Sequence, residues 1–301
     1  MSIATSQQIA KYYETFRTID VTFTKEVVRA TGLLTQNVYI KCIGEQWPCV
    51  VYSSSFDGAK VLVAAKQTII ERVKKANGLV SLRFSFRVSE KADPVSFFVS
   101  ARAAGFAPYV QSNGTLQFMN VQFTQRPPDD YVEIMGRMLE ANVNSKRRSE
   151  ERVVLTPDVV RKIGLARKEA TVVIQGVPRR CILRDVSFSG AKIIIVGLAK
   201  YLVGKACTLR IDMEEPRETV ELPGIVKRFE DVEGRKDLAA IGIRFDDTKV
   251  PMSYKMHMND YLGQIRRPQD DADAQPAVQK APSAQAEATP APRPENGTGP
   301  A

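Results

Sequence analysis

Apolar residues recur at regular spacing along most of the chain, first in a helix pattern and then in strand patterns. Near the start, Ser6 can cap a helix in which Ile9, Tyr12, Tyr13 and Phe16 share one face. Runs rich in β-branched and aromatic residues then predict strands at 38–40, 49–52, 61–64, 79–88, 96–99 and 116–123. A helical pattern at 67–76 interrupts these strands.

The same order of patterns returns in the second half of the chain. A helix after Pro127 and Pro128 ends the first block, with Tyr131, Met135, Met138 and Leu139 as its apolar stripe. Further strands are predicted at 171–174, 180–183, 193–196, 207–211, 224–227 and 239–245, before a last helix from Pro251 to Ile265. Two blocks of short strands, each closed by a helix, predict a mainly β fold with flanking helices: two small β-barrel domains in tandem.

An internal repeat supports this division. The segment that begins at Cys49 and ends in Gly58-Ala59-Lys60 returns 132 positions later, from Cys181 to Gly190-Ala191-Lys192. Cys, Ser, Phe, Gly, Ala and Lys match without a gap, and the apolar positions agree in character. We therefore expect a duplicated fold.

Composition sets the expected domain limits. The stretch 142–151 is polar, and the sequence from Arg266 onward is rich in Pro, Ala, Gln and acidic residues with no aromatic residue. Such a segment buries too little apolar surface to offset its ordering entropy. We expect an N-terminal domain at 1–141, a linker at 142–152, a second domain at 153–265 and a disordered tail at 266–301.

Charge and residue counts exclude several classes of protein. The net charge is +9, which favours an anionic partner without identifying it. The single His257 and four Cys without a C-x-x-C motif leave no metal site or redox pair, and no carboxylate pair stands out for acid–base catalysis. With neither a leader pattern nor an apolar run long enough to span a bilayer, we expect a cytoplasmic, monomeric and non-enzymatic protein.

Two motifs around the second block carry the candidate chemistry. Arg148 and Arg152 form an R-x-x-x-R pair in the linker, and Asp185, Ser187 and Gly190 form D-x-S-x-x-G where one strand turns into the next. Arginine binds phosphate oxygens bidentately and stacks on bases, and a carboxylate can accept hydrogen bonds from guanine N1–H and N2–H₂. The set suits a compact guanine ligand with more than one phosphate.

Both motifs in this order resemble the PilZ domain, over roughly 146–265. The segments Gly224-Ile-Val-Lys-Arg228 and Ile241-Gly-Ile-Arg-Phe245 are also similar to later strands of that family. The resemblance implies binding of cyclic di-GMP, a bacterial second messenger, with no further cofactor and no metal. It implies that Arg148 and Arg152 bind phosphates and guanine, that Asp185 and Ser187 bind a guanine edge, and that Gly190 shapes the turn.

The resemblance also has implications beyond these five residues. Arg147 lies where the family tends to determine whether one or two ligand molecules bind. The tandem arrangement is similar to PlzA-type receptors, in which a PilZ-like domain precedes the ligand-binding one. A shift of 132 positions places Phe16, Asp20 and Ser53 opposite Arg148, Arg152 and Asp185, so we expect the first copy not to bind this ligand.

We therefore expect a receptor that passes its signal to a protein effector in motility, adhesion or virulence. Several like charges favour an extended, mobile arm at 146–152 without ligand, which folds onto the second barrel when ligand binds and changes the arrangement of the domains. Two alternatives stay open: an adaptor whose motif is vestigial, and a nucleic-acid binder with Arg83, Arg87 and Arg102 on a basic face. The second R-x-x-x-R match, Arg180 with Arg184, lies within a strand and is interpreted as a coincidence.

Overall fold

A computed structural model describes residues 4–273 of the chain, apart from residues 65, 91, 111–115 and 198. The first half contains α1 (Ser6–Phe16), β1 (Val21–Thr22), α2 (Lys25–Thr31), β2 (Tyr39–Cys42), β3 (Glu45–Ser54), β4 (Gly58–Val63), α3 (Gln67–Lys75), β5 (Leu79–Phe86), β6 (Val95–Pro108), β7 (Gln117–Phe123) and α4 (Asp129–Arg147). The second half contains β8 (Val153–Val154), α5 (Pro157–Ile163), β9 (Glu169–Ile174), β10 (Val177–Val186), β11 (Gly190–Val196), β12 (Ala206–Met213), β13 (Glu218–Val232), β14 (Arg235–Phe245) and α6 (Met252–Asp273).

Each half closes into a six-strand antiparallel β-barrel within the described residues. In the first barrel the order is β3-β2-β5-β6-β7-β4, and β4 pairs back onto β3. In the second it is β10-β9-β12-β13-β14-β11, and β11 pairs back onto β10. The short strands β1 and β8 pair antiparallel with the last two residues of β3 and β10. The mainly β, tandem-barrel fold predicted from the sequence is confirmed.

The offset of 132 positions between the two copies also holds for the ends of whole helices and strands. β3 and β10, α2 and α5, and β1 and β8 lie 132 positions apart at both ends. Thr24 and Thr156 cap α2 and α5 in the same way, each accepting a hydrogen bond from a backbone N–H at 3.3 Å. Gly32 and Gly164 then end these helices in the left-handed conformation.

Each barrel has its own apolar core, and a tyrosine on the following helix closes one end of it. Tyr131 of α4 is fully buried and donates a hydrogen bond to Ser54 Oγ at 2.7 Å. Tyr254 of α6 is likewise fully buried and donates to the Ser187 carbonyl at 2.8 Å. These two contacts connect the last helix of each half to the strand that carries the repeated motif.

The two barrels belong to one compact unit that ends at Gln264, and polar contacts join them. Asn144 Nδ2 of α4 donates to Asn259 Oδ1 of α6 at 2.7 Å. The further contacts are the ion pairs Arg29–Glu218 and Arg137–Asp260 and the bonds from the backbone N–H of Arg217 to Glu90 and of Met252 to Glu26. Because this interface is rich in charged groups, we expect its stability to depend on salt.

Two predicted boundaries differ from the structure. α4 continues to Arg147, so the linker expected at 142–152 is helical over its first six residues. Lys146 and Arg147 in the last turn stabilise the carbonyl end of the helix.

α6 extends to Asp273, so 266–273 is helical rather than disordered, because extending a formed helix adds a hydrogen bond for each residue ordered. The rest of the predicted tail, 274–301, lies outside the described residues. Among the described helices none is long and apolar enough to cross a membrane.

His257 is partly shielded from solvent, although helical periodicity places it on the polar side of the last helix. It is half-buried, and a Cβ on Gly164 would lie 3.2 Å from its Nδ1. Burial lowers the pKa of the imidazole, while Asp260, a hydrogen bond to the Ile163 backbone and Glu218 raise it in part and Arg137 lowers it further.

This shift predicts how stability depends on pH. Because the folded imidazole has the lower pKa, the unfolded chain binds the proton first as pH falls. The free energy of unfolding should therefore decrease as pH falls from 7.5 through the unfolded pKa of about 6.5. Urea unfolding at pH 7.5 and 5.5 measures the loss, which should be smaller in His257→Gln. An equal loss in both proteins would contradict the assignment.

Candidate ligand-binding site

The R-x-x-x-R pair lies where α4 ends and the second barrel begins. The Arg148 N–H donates to Asn144 O at 2.9 Å as the last bond of the helix, and the Glu151 N–H donates to Arg148 O at 3.1 Å. β8 then pairs with β10, with Val154 opposite Asp185. The first two residues of the arm expected at 146–152 belong to α4. Residues 148–152, which we call the arm from here on, form a compact turn beside the second barrel.

Asp185 faces out of the barrel because β10 is irregular at this point. The register with β11 shifts between Leu183 and Asp185, which is the signature of a β-bulge. The Asp185 carboxylate forms an ion pair with the Arg152 guanidinium, and these side chains are 13% and 35% exposed. The structure thus brings together the two motifs that the sequence places 33 residues apart.

Ser187 and Gly190 form the turn between β10 and β11. The Ser187 N–H and hydroxyl both donate to Gly190 O, at 2.8 and 3.2 Å, and Ser187 is fully buried. Regular alternation along a strand would place this hydroxyl on the same side as Asp185. It does not lie there, because β10 ends at Val186 and the chain turns inward. A Cβ on Gly190 would lie 2.3 Å from Ile243 O, so close approach to β14 is the reason for glycine here.

Arg147 and Arg148 present cationic groups next to this turn. Arg147 is exposed and Arg148 is half-buried. In the part of the chain that the structure describes, neither guanidinium makes a hydrogen bond or ion pair. Both are therefore available to an anion, whereas Arg152 would have to exchange Asp185 for it.

Four further residues at this place were not predicted from the sequence. Ser189 is 4% exposed, and its hydroxyl donates to Glu150 Oε1 of the arm at 3.2 Å. Lys192 lies directly opposite Asp185 on β11 and forms an ion pair with Glu230 of β13, which lowers the pKa of that carboxyl. Ser189 occupies a variable position of the motif, so the sequence carried no signal for it. The match between Lys192 and Lys60 in the repeat was the one available signal for Lys192.

The first barrel has the same turn without the charged groups. The Ser55 N–H donates to Gly58 O at 2.9 Å, as Ser187 does to Gly190. The counterparts of Arg148 and Asp185 are Phe16 and Ser53, which are 7% and 5% exposed. Its outer face is aromatic here: the Lys60 ammonium lies 4.2 Å from the ring centroid of Phe118 and 5.3 Å from that of Tyr52.

The second R-x-x-x-R match lies apart from the arm. Arg180 and Arg184 are exposed on β10 itself, and Arg180 lies opposite Thr171 of β9. Arg180 borders a surface groove of about 840 Å³ that also includes Ile182, Ile194 and Arg210. None of the six predicted site residues lines this groove.

No group of metal-ligating side chains is present within the described residues. Cys42, Cys49, Cys181 and Cys207 are buried free thiols. Burial raises the pKa of Cys49 and of Cys181 to about 12, so both remain protonated packing residues at neutral pH.

Aromatic and basic side chains alternate on another outer face of the first barrel. Arg83 of β5 lies opposite Tyr39 of β2 and Phe98 of β6. Its guanidinium is 5.1 Å from the Tyr39 ring centroid, and the Lys41 ammonium is 5.9 Å from that of Phe98. Arg87 follows the same strand, and Arg102 donates to the Asn77 carbonyl at 2.6 Å. We call Tyr39, Lys41, Arg83 and Phe98 the aromatic–basic face; it joins three strands, so a linear pattern did not reveal it.

Comparisons with known proteins divide the chain near the end of α4. A family model described as the PilZN3 domain matches residues 7–142, and one described as the PilZ domain matches residues 146–264. A protein of Treponema denticola described as a cyclic di-GMP binding protein is 43% identical over 271 residues, which are 90% of this chain and 86% of that protein.

Solved structures are also similar to this chain. The Borreliella burgdorferi PlzA protein in complex with c-di-GMP is 21% identical, with 85% of this chain and 98% of that chain covered and a TM-score of 0.39. The Bacillus subtilis inhibitor of motility is 16% identical, with coverage of 78% and 97% and a TM-score of 0.30.

Proposed function

The chain belongs to the PilZ family, with a PilZN3 domain followed by a PilZ domain, and we propose that it is a non-enzymatic receptor for cyclic di-GMP. One observation carries the proposal: the arm holds Arg152 against Asp185, while Arg147 and Arg148 lie beside them with guanidinium groups available to an anion. The similar Treponema denticola protein, described as binding this ligand, supports it.

The proposed roles follow from the chemistry of the ligand. Cyclic di-GMP carries two phosphates, which Arg148 and Arg152 bind bidentately, and guanine faces on which their planes stack. Asp185 accepts hydrogen bonds from guanine N1–H and N2–H₂ once Arg152 leaves it for phosphate. Ser187 and Gly190 hold the turn that presents Asp185, and Arg147 determines whether a second ligand molecule binds.

The proposed output is a change in how the barrels are arranged. The arm continues directly from α4, and α4 contacts α6 through Asn144 and Arg137. A ligand that moves Arg148 therefore acts on the end of a helix that lies in a polar interface. We propose that a protein effector detects this change, and that motility, adhesion or virulence is the regulated process, as the resemblance to the family implies.

Removal of the arginines should abolish binding. Each charge-assisted hydrogen bond contributes about 1.5–3 kcal/mol, so Arg148→Ala and Arg152→Ala should each raise the Kd at least about tenfold, and the double variant should not bind measurably. Calorimetric titration of cyclic di-GMP measures this. The matched control is Arg180→Ala/Arg184→Ala, the same spacing on β10, which should change the Kd less than about twofold.

The same titrations separate the alternatives. No binding by the intact chain would favour an adaptor with a vestigial motif. Equal losses in the two double variants would mean that net charge, rather than the arm, attracts the ligand. A site that survives Arg148→Ala/Arg152→Ala would contradict the inference that the first barrel does not bind.

Ligand should also change the shape of the molecule in solution. Small-angle scattering of the full chain with and without saturating cyclic di-GMP should give different pair-distance distributions, because a ligand that moves Arg148 shifts the end of α4 against α6. The Arg148→Ala/Arg152→Ala variant should give the same curve in both conditions. Identical curves for the intact protein would contradict the proposed rearrangement and favour a new surface patch as the signal.

A second candidate function is binding of single-stranded nucleic acid, supported by the aromatic–basic face. Stacking of a base on an aromatic ring contributes about 1–3 kcal/mol. Tyr39→Ala/Phe98→Ala should therefore weaken binding of a labelled single-stranded oligonucleotide at least about fivefold in fluorescence anisotropy. Tyr52→Ala/Phe118→Ala, on the other aromatic face of the same barrel, is the control. Equal losses in both variants, or no binding, would exclude a specific role for this face.

A further inference from the structure

The middle of the arm is attached to the turn that follows β10. Glu150 Oε1 accepts a hydrogen bond from Ser189 Oγ at 3.2 Å, and Ser149 O accepts one from the Ser189 N–H at 3.1 Å. Ser189 is 4% exposed, whereas Glu150 is exposed. An exposed acid of the arm thus engages a buried hydroxyl two residues beyond Ser187.

The attachment occupies the hydroxyl of Ser189. A serine hydroxyl has one proton to donate, and its other close neighbour, Ser187 Oγ, is 3.5 Å away. As long as Glu150 accepts this proton, Ser189 cannot donate it to an incoming phosphate. A bound phosphate at this turn would therefore have to displace the Glu150 carboxylate.

The negative charge of Glu150 also opposes the binding of a phosphate. Its carboxylate lies 3.2 Å from Ser189 Oγ, so a phosphate that approached this turn would meet a negative charge there. Repulsion between two like charges, partly screened by water, lowers affinity by a factor of roughly three to ten.

In the first barrel the corresponding attachment does not use an acid from the segment that precedes β1. The counterparts of Ser149, Glu150 and Ser189 are Arg17, Thr18 and Asp57. There Arg17 Nε pairs with Asp57 Oδ1 at 2.7 Å, so the preceding segment supplies the cation and the turn supplies the acid. In the second barrel, which carries the arginines proposed to bind ligand, the arm supplies the acid and the turn supplies a serine hydroxyl.

We infer that Glu150 is an internal competitor of cyclic di-GMP: it holds the arm on Ser189 in the ligand-free chain and sets the affinity of the receptor below what the arginines alone would give. This inference rests on the proposed function. It assigns to Glu150 and Ser189 a regulatory contact within the ligand site, distinct from the Arg152–Asp185 pair.

Removal of the charge should strengthen binding. In calorimetric titrations of the full chain, Glu150→Gln, which keeps an acceptor for Ser189, should lower the Kd for cyclic di-GMP about threefold to tenfold. Glu233→Gln, which removes an exposed carboxylate at the β13–β14 turn, at the end of β14 remote from Gly190, is the matched control and should change the Kd less than about twofold. An unchanged or higher Kd in Glu150→Gln, or an equal gain in Glu233→Gln, would overturn the inference.

A measurement without ligand keeps the two proposals separate. In hydrogen exchange of the ligand-free chain, Glu150→Ala should raise the exchange rate of the Ser189 and Glu151 amides at least about threefold and leave the β12 and β13 amides unchanged. If no variant binds cyclic di-GMP, the proposed function fails while this result still tests the attachment. If the exchange of the arm is unaffected, Glu150 does not hold it and the inference fails even where binding is strong.

Discussion

In each barrel a glycine at the start of a strand allows two backbones to approach closely. At Gly190 the first residue of β11 lies so near β14 that a Cβ would be 2.3 Å from Ile243 O, and at Gly58 the corresponding distance to Val121 O is 2.5 Å. A side chain at either position would force the strands apart where the ring of strands closes. The sharp turn that precedes each glycine is thus required by the fold, and the ligand motif of the second barrel is built on it.

The duplicated scaffold and its charged surface were predictable to different degrees. The barrels follow from local patterning and from the ungapped repeat, since strands such as β4, β9 and β12 alternate between buried and more exposed residues. The association of Arg152 with Asp185 followed from a resemblance, and the bulge beside Leu183 that turns Asp185 outward had no visible signal in the sequence. The inward rotation of Ser187 was missed because the end of β10 at Val186 depends on the pairing with β11.

Tertiary contacts explain the other differences. α4 passes the polar residues 142–147 because Asn144 donates to Asn259 of α6, an interaction between segments 115 residues apart. His257 is half-buried because α6 packs against the end of α5 at Gly164. Neither contact can be derived from helical periodicity, which records the face of a helix that meets the core and not the face that meets a second domain.

Divergence between the two copies is concentrated at the arm and on the outer face of the barrel. The turn, the buried phenylalanines Phe56 and Phe188 and the tyrosine of the closing helix are kept in both halves. Phe16 in place of Arg148 contributes to the first core, so the segment that is proposed to bind ligand in one copy is a packing element in the other. A residue cannot be 7% exposed and also free to bind an anion, so the two roles exclude each other at this position. α4 belongs to the first core at Tyr131 and continues into the arm at Arg148. A displacement of the arm therefore affects both barrels. Ion pairs between the barrels can break and re-form when their arrangement changes.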